Sequence, residues 1–180
     1  METPFNFNDN DQPEEAKSSG GKLPEGRYNF EFVRVAGADD NAEDGIVSGK
    51  NDWKALKLIF KMIDSRIDKE LFFGTTFTTD YDPAATNSKG DSKREMLLDM
   101  SKANYKALCH FAGADLKNTD SLVGRKVSCL CKKGDNDFLE LDPGYRGENW
   151  DSFVEQKSES KIEEVKSDTK SEEFDDDIPF

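Results

Sequence analysis

Just after Gly26, the apolar residues Tyr28, Phe30 and Phe32 alternate with Asn29 and Glu31, a period of two that predicts a half-buried strand over residues 27–36. At Val33 and Val35 the apolar positions change parity, which predicts a bulge, or a bend that lets one strand serve two faces. The next segment is clearer. Leu56, Leu58, Phe60 and Met62 form one row, while Trp53, Lys57 and Lys61 form the opposite row with Ala55 and Ile59. A polar turn at residues 64–68 leads into residues 69–79, rich in Phe and Thr, and the two segments read as a hairpin. Within the second, Leu71, Phe73 and Phe77 are expected in the core, which leaves Phe72, Gly74, Thr76 and Thr78 facing outward.

The period then changes. Residues 80–92 are polar, and Ser92-Lys93-Arg94-Glu95 has the form of a capping box, where hydroxyl and carboxylate satisfy the first free N–H groups of a helix. Leu97, Met100, Asn104, Leu108 and Phe111 recur at helical spacing up to a stop at Gly113. A fourth strand is expected over 122–132 and a fifth over 137–141, after the turn Gly134-Asp135-Asn136, with Pro143-Gly144 closing the domain near Trp150. Three strands, a helix and two strands is the order of the OB fold. The expected class is therefore mainly β: a five-stranded barrel with one helix between strands three and four.

Composition changes this picture at the two ends. The chain has 180 residues, 34% hydrophobic and 35% charged, with a net charge of −13. Residues 1–22 are polar and read as a disordered arm, residues 23–150 as the domain, and residues 151–180 as a disordered acidic tail. The tail holds eleven acids against four lysines, whereas residues 23–150 hold 22 acids against 19 bases. More than half of the net charge thus sits in the last sixth of the chain, so the overall acidity does not exclude a basic face on the domain. No run is apolar enough to cross a bilayer, and three cysteines cannot all pair internally, so a reducing cytoplasm is expected, with no membrane partner.

Candidate chemistry lies in two places. On the second strand, Trp53, Lys57 and Lys61 oppose the core row, with Lys54 beside them; Phe72 lies on the neighbouring strand, and Arg125 and Lys126 begin the fourth. Rings that stack on bases, interleaved with lysines that track phosphates, are the chemistry of single-stranded nucleic-acid binding. Cys109, His110, Cys129 and Cys131 would suffice in number for zinc, but the adjacent Cys109-His110 pair diverges on a helix and Cys129-x-Cys131 lies within a strand. They are expected to be small core residues, with no metal and no cofactor. No nucleophile elbow, P-loop or paired-carboxylate signature is present, so no catalytic residue is expected.

The second place is the end of the tail, where Phe174 precedes Asp175-Asp176-Asp177-Ile178-Pro179-Phe180. Large apolar residues on an otherwise polar segment have nothing local to cover them. Pro179 holds Ile178 extended, and a pocket with a basic rim would take the ring and hold the aspartates. These six residues resemble the tip of bacterial single-stranded-DNA-binding proteins, and the body resembles in architecture the corresponding proteins of bacteriophages. The resemblance implies a protein that coats single-stranded DNA during phage replication, recombination and repair. It also implies a monomer or small homo-oligomer whose tip recruits replication, recombination and repair enzymes. A second reading keeps only the tip: an interaction protein that captures such enzymes without binding DNA.

Overall fold

A computed structural model describes residues 23–156 of the chain. The arm at 1–22 and the tail from 157 onward, including Phe174, Asp175, Asp176, Asp177, Ile178, Pro179 and Phe180, lie outside the described residues. Among the described residues seven strands, all paired antiparallel, form one strongly curled sheet accompanied by a single long helix. In chain order these are β1 (Gly26–Val35), β2 (Ile46–Ser48), β3 (Lys54–Met62), β4 (Phe72–Asp80), α1 (Lys93–Ala112), β5 (Lys126–Lys133), β6 (Leu139–Leu141) and β7 (Trp150–Ser152).

The curl follows from what each strand pairs with. β1 runs between β3 and β5, and the pairing of β1 with β3 slips between Phe32 and Arg34, leaving Val33 as an extra residue. That is the bulge the parity change predicts, and it bends β1 so that one strand belongs to both halves of the sheet. β4 lies on the far side of β3, while β6 and β7 share the far side of β5. The sheet therefore curls into a half-barrel with β4 and β6 as the two rims of its seam, and no ladder joins those rims among the described residues.

Inside the curl, Phe30, Phe60, Leu58, Leu108, Leu122 and Val127 are fully buried. Each large apolar side chain buried this way contributes about 1.5–3 kcal/mol. Phe32 meets Phe60 edge-on at 5.6 Å, and Phe60 packs on Trp150 at 5.6 Å. The helix closes one end of the core. Ser92 caps it by accepting the Glu95 N–H, and Gly113 ends it at φ 65°, a conformation that suits a residue without Cβ. Asn104 is buried on this helix without being orphaned: Trp150 Nε1 donates to its Oδ1 at 2.7 Å, and its Nδ2 donates to the Gly144 carbonyl at 3.3 Å.

Several boundaries differ from expectation. Residues 119–122 form a short 3-10 turn, so the fourth long strand begins at Lys126 rather than at Leu122. Two short strands, β2 and β7, add to the five expected, being too brief to show alternation. The packed body also continues past Trp150. Val154 exchanges hydrogen bonds with the buried Asn29, accepting from Nδ2 at 2.8 Å and donating to Oδ1 at 3.3 Å. Gln156 Oε1 accepts from the N–H and hydroxyl of Ser65, and its Nε2 donates to Asp64. Residues 153–156 are thus a strap laid over the outer face of β1 and tied down at the β3–β4 turn.

Candidate nucleic-acid interface

The β3–β4 hairpin positions the candidate side chains. Its register sets Lys57 opposite Thr76, Ile59 opposite Gly74 and Lys61 opposite Phe72. Because strand side chains alternate, Lys57, Lys61, Phe72, Gly74 and Thr76 all point away from Leu58 and Phe60, onto the outside of the curl. One end of this outer surface is closed. There Ala55 and Ile59 are buried, and Ala36 and Ala42 from the β1–β2 connection, with Val47 of β2, complete a small second core. The other end is open. Phe72, the first residue of β4 and the end pair of the β3–β4 ladder, is 55% exposed, and nothing in the described residues requires an aromatic ring there.

Beside it the seam between β4 and β6 widens into a cleft of about 570 Å³, lined by Lys57, Glu70, Phe72, Gly74, Phe138 and Glu140 among others. Phe138, 49% exposed just before β6, supplies a second ring on the opposite wall. Sequence reading passed over it. The signal was present: Leu139 and Leu141 share the inward parity of a strand, which turns Phe138 outward. Gly74 keeps the floor low, since a Cβ there would stand 3.0 Å from Lys57 Cε, whose aliphatic stem crosses the position.

Charges at this site are mixed. Lys61 forms an ion pair with Glu70, and Glu31 is its cross-strand neighbour on β1. Its positive charge is therefore partly compensated before any ligand arrives. No such ion pair engages Lys57 among the described residues. A phosphate entering the cleft would be drawn towards Lys57 and away from Glu70 and Glu140.

The remaining candidates fall at different distances from this centre. Trp53 is half-buried just before β3; its Nε1 donates to Thr78 Oγ1 at 3.1 Å, and its ring lies over Gly49. Only part of its face is free. Lys54 sits on the other parity, opposite Asp80, whose carboxyl is held below its usual range mainly by the Arg94 guanidinium. Lys126 does belong to the same cross-strand row, in the order Phe72, Lys61, Glu31, Lys126. It stands two strands from Lys61, roughly 10 Å, and its ammonium lies 5.3 Å from the Phe153 ring of the strap. Arg125 precedes it in an exposed turn, with Nε donating to the Ser121 carbonyl. The fold thus brings together Lys57, Lys61 and Phe72, adds Phe138, keeps Trp53 at the margin, and sets Lys54, Arg125 and Lys126 apart.

The four sulfur and imidazole groups are dispersed. Cys109, Cys129 and Cys131 are all buried, and desolvation pushes their thiols up, Cys131 to about 12. Such thiols stay protonated and inert. His110 is exposed and stacks edge-on against Phe111. Among the described residues no cluster of His, Cys, Asp and Glu is placed to hold a metal ion, and no helix is long and apolar enough to cross a membrane. Comparison with protein-family models, with curated proteins and with solved structures yields no match to this chain.

Proposed function

We propose that the curled sheet is an OB barrel that binds single-stranded DNA along the outer β3–β4 face and the β4–β6 cleft, without catalysis and without strong sequence preference. Residues 175–180 recruit replication, recombination and repair proteins in the host cell cytoplasm. The pairing supports the fold: β1 joins the β3–β4 hairpin to the β5–β6 hairpin, and the helix lies between them in sequence, as in an OB barrel. The observation that carries the binding function is the exposed Phe72, with Lys57 beside it and Phe138 across a cleft. Two rings facing across a gap would each stack one base, at about 1–3 kcal/mol per base, while Lys57 meets the backbone between them.

One observation favours the second reading, an interaction protein that does not bind DNA: Lys61 is already paired with Glu70, and Glu31 interrupts the row towards Lys126. Titration of the full chain with a fluorescent oligothymidine at two salt concentrations separates the readings. Binding that weakens with salt, by about 0.7 log units per phosphate contact per log unit of salt, and that falls when Phe72 or Phe138 becomes Ala, supports the first. An absence of binding at low salt leaves only the second.

A further inference from the structure

Phe72 and Phe138 each have a glutamate two residues away along the chain: Glu70 before Phe72, and Glu140 after Phe138. Strand alternation puts residues at this spacing on one face, about 7 Å apart. The ladders carry that alternation past the strand ends, because Met62 N–H donates to the Leu71 carbonyl and Gly134 N–H donates to the Phe138 carbonyl, both at 2.9 Å. Each ring of the cleft therefore has a carboxylate near its edge, and both glutamates line the cleft. The two are not equivalent. Glu70 is ion-paired with Lys61. Glu140 stands opposite Lys132 across the β5–β6 ladder, but the Lys132 ammonium is turned to Asp142 at 2.5 Å. No ion pair engages Glu140 among the described residues. Its carboxylate lies over Gly134, in the space that a side chain at residue 134 would take: a Cβ there would stand 2.4 Å from Oε1.

A carboxylate beside a phosphate track weakens it, since both are anions. Beside a stacking ring it has another use. A carboxylate accepts hydrogen bonds and donates none, so it favours base edges that carry amines and repels those that carry carbonyls. Guanine presents adjacent N1–H and N2 amine donors, which match the two oxygens of one carboxylate. Cytosine and adenine present one amine each, whereas thymine presents its N3–H between two carbonyl oxygens. We infer that Glu140 reads the exposed edge of the base stacked on Phe138 and makes the cleft prefer guanine, with thymine the least favoured base. Lys57 meets the phosphate, Phe138 the face of the base, and Glu140 its edge. The inference rests on the proposed DNA-binding function and adds to it a bias in base composition. That bias stays far below sequence-specific recognition, which reaches about 10³-fold and more.

The test measures binding of the full chain to three fluorescent oligonucleotides in lithium salt, which keeps guanines from associating into quadruplexes. One is all thymine, one carries isolated guanines at every third position, and one carries hypoxanthine at those positions. Hypoxanthine keeps the N1–H and lacks the 2-amino group. The guanine oligonucleotide should bind about fivefold more tightly than the thymine one, the lower end for a bidentate base contact, with hypoxanthine between them. Glu140→Gln keeps the size of the side chain and removes its charge, and should abolish the preference while leaving urea unfolding unchanged. Lys57→Ala should weaken all three alike, as loss of a phosphate contact does. Equal affinity for guanine and thymine, equal affinity for guanine and hypoxanthine, or a guanine preference that persists in Glu140→Gln overturns the inference and leaves DNA binding in place. Binding of none of the three at low salt overturns the proposed function and this inference together.

Discussion

The two faces of the β3–β4 hairpin follow the same alternation and the same register, yet they are built to different standards. On the inner face Leu58, Phe60 and Phe77 are buried, and each ring meets another ring or the helix. On the outer face the aromatic residue is bare, and the lysines are divided between one ion-paired and one unengaged. A ring in the core explains itself by the apolar area it removes from water. A ring left in water on a strand has no such explanation, so the difference between the faces separates what the fold needs from what a ligand needs.

Mutations on the two faces should therefore part cleanly. The largest effect belongs to the inner face: Phe60→Ala should lower unfolding free energy by about 3–5 kcal/mol, measured by urea denaturation, with any loss of DNA binding following only from unfolding. A smaller loss would mean that the curl collapses around the gap.

Next comes the tie between faces, the β3–β4 turn. Burial acts to raise the Asp64 carboxyl, but hydrogen bonds from Arg66, from its backbone N–H and from Gln156 outweigh it and hold the carboxyl below its ordinary value. A carboxyl whose folded value is depressed contributes stability that is complete above its unfolded value, about 3.9. That stability is lost as pH falls through the lower folded value. Asp64→Asn should cost about 1.5–3 kcal/mol at neutral pH and flatten the stability profile below pH 4. A profile as steep as that of the parent would show that other carboxylates govern acid unfolding.

On the outer face, Phe72→Ala should leave stability within about 0.5 kcal/mol yet weaken oligothymidine binding by about 1–3 kcal/mol. Equal losses in both assays would erase the contrast between the faces. The smallest effect is expected at the margin: Trp53→Phe removes the donor to Thr78 and should cost about 0.5–1.5 kcal/mol of stability, with little change in binding.

Much of the inner face was legible in sequence because a buried row has to repeat. The Leu58, Phe60 and Met62 spacing, the parity change at Val33 and the stop at Gly113 are local patterns with local physical causes, and the structure carries all three. The outer face was less legible, because solvent imposes no period. Lys61 reads as a free cation until Glu70 is seen across the hairpin, and Lys126 reads as a phosphate contact until Phe153 is seen against it. The strap was invisible for a different reason: Asn29 gives no sign in sequence that its amide will be matched by the backbone of Val154.

That match has a consequence in time. Asn29 and Val154 are 125 residues apart, and β1 pairs with β5 across separations of 95 to 105 residues. The first strand to leave the ribosome therefore waits for almost the whole domain before either its outer neighbour or its cover exists. The β3–β4 hairpin can close at once, offering Phe60 and Phe77 to solvent in the interval. Distant pairings of this kind slow folding and lengthen exposure to aggregation. The strap, last to be synthesised among the packed residues, marks the moment when the curled sheet becomes complete.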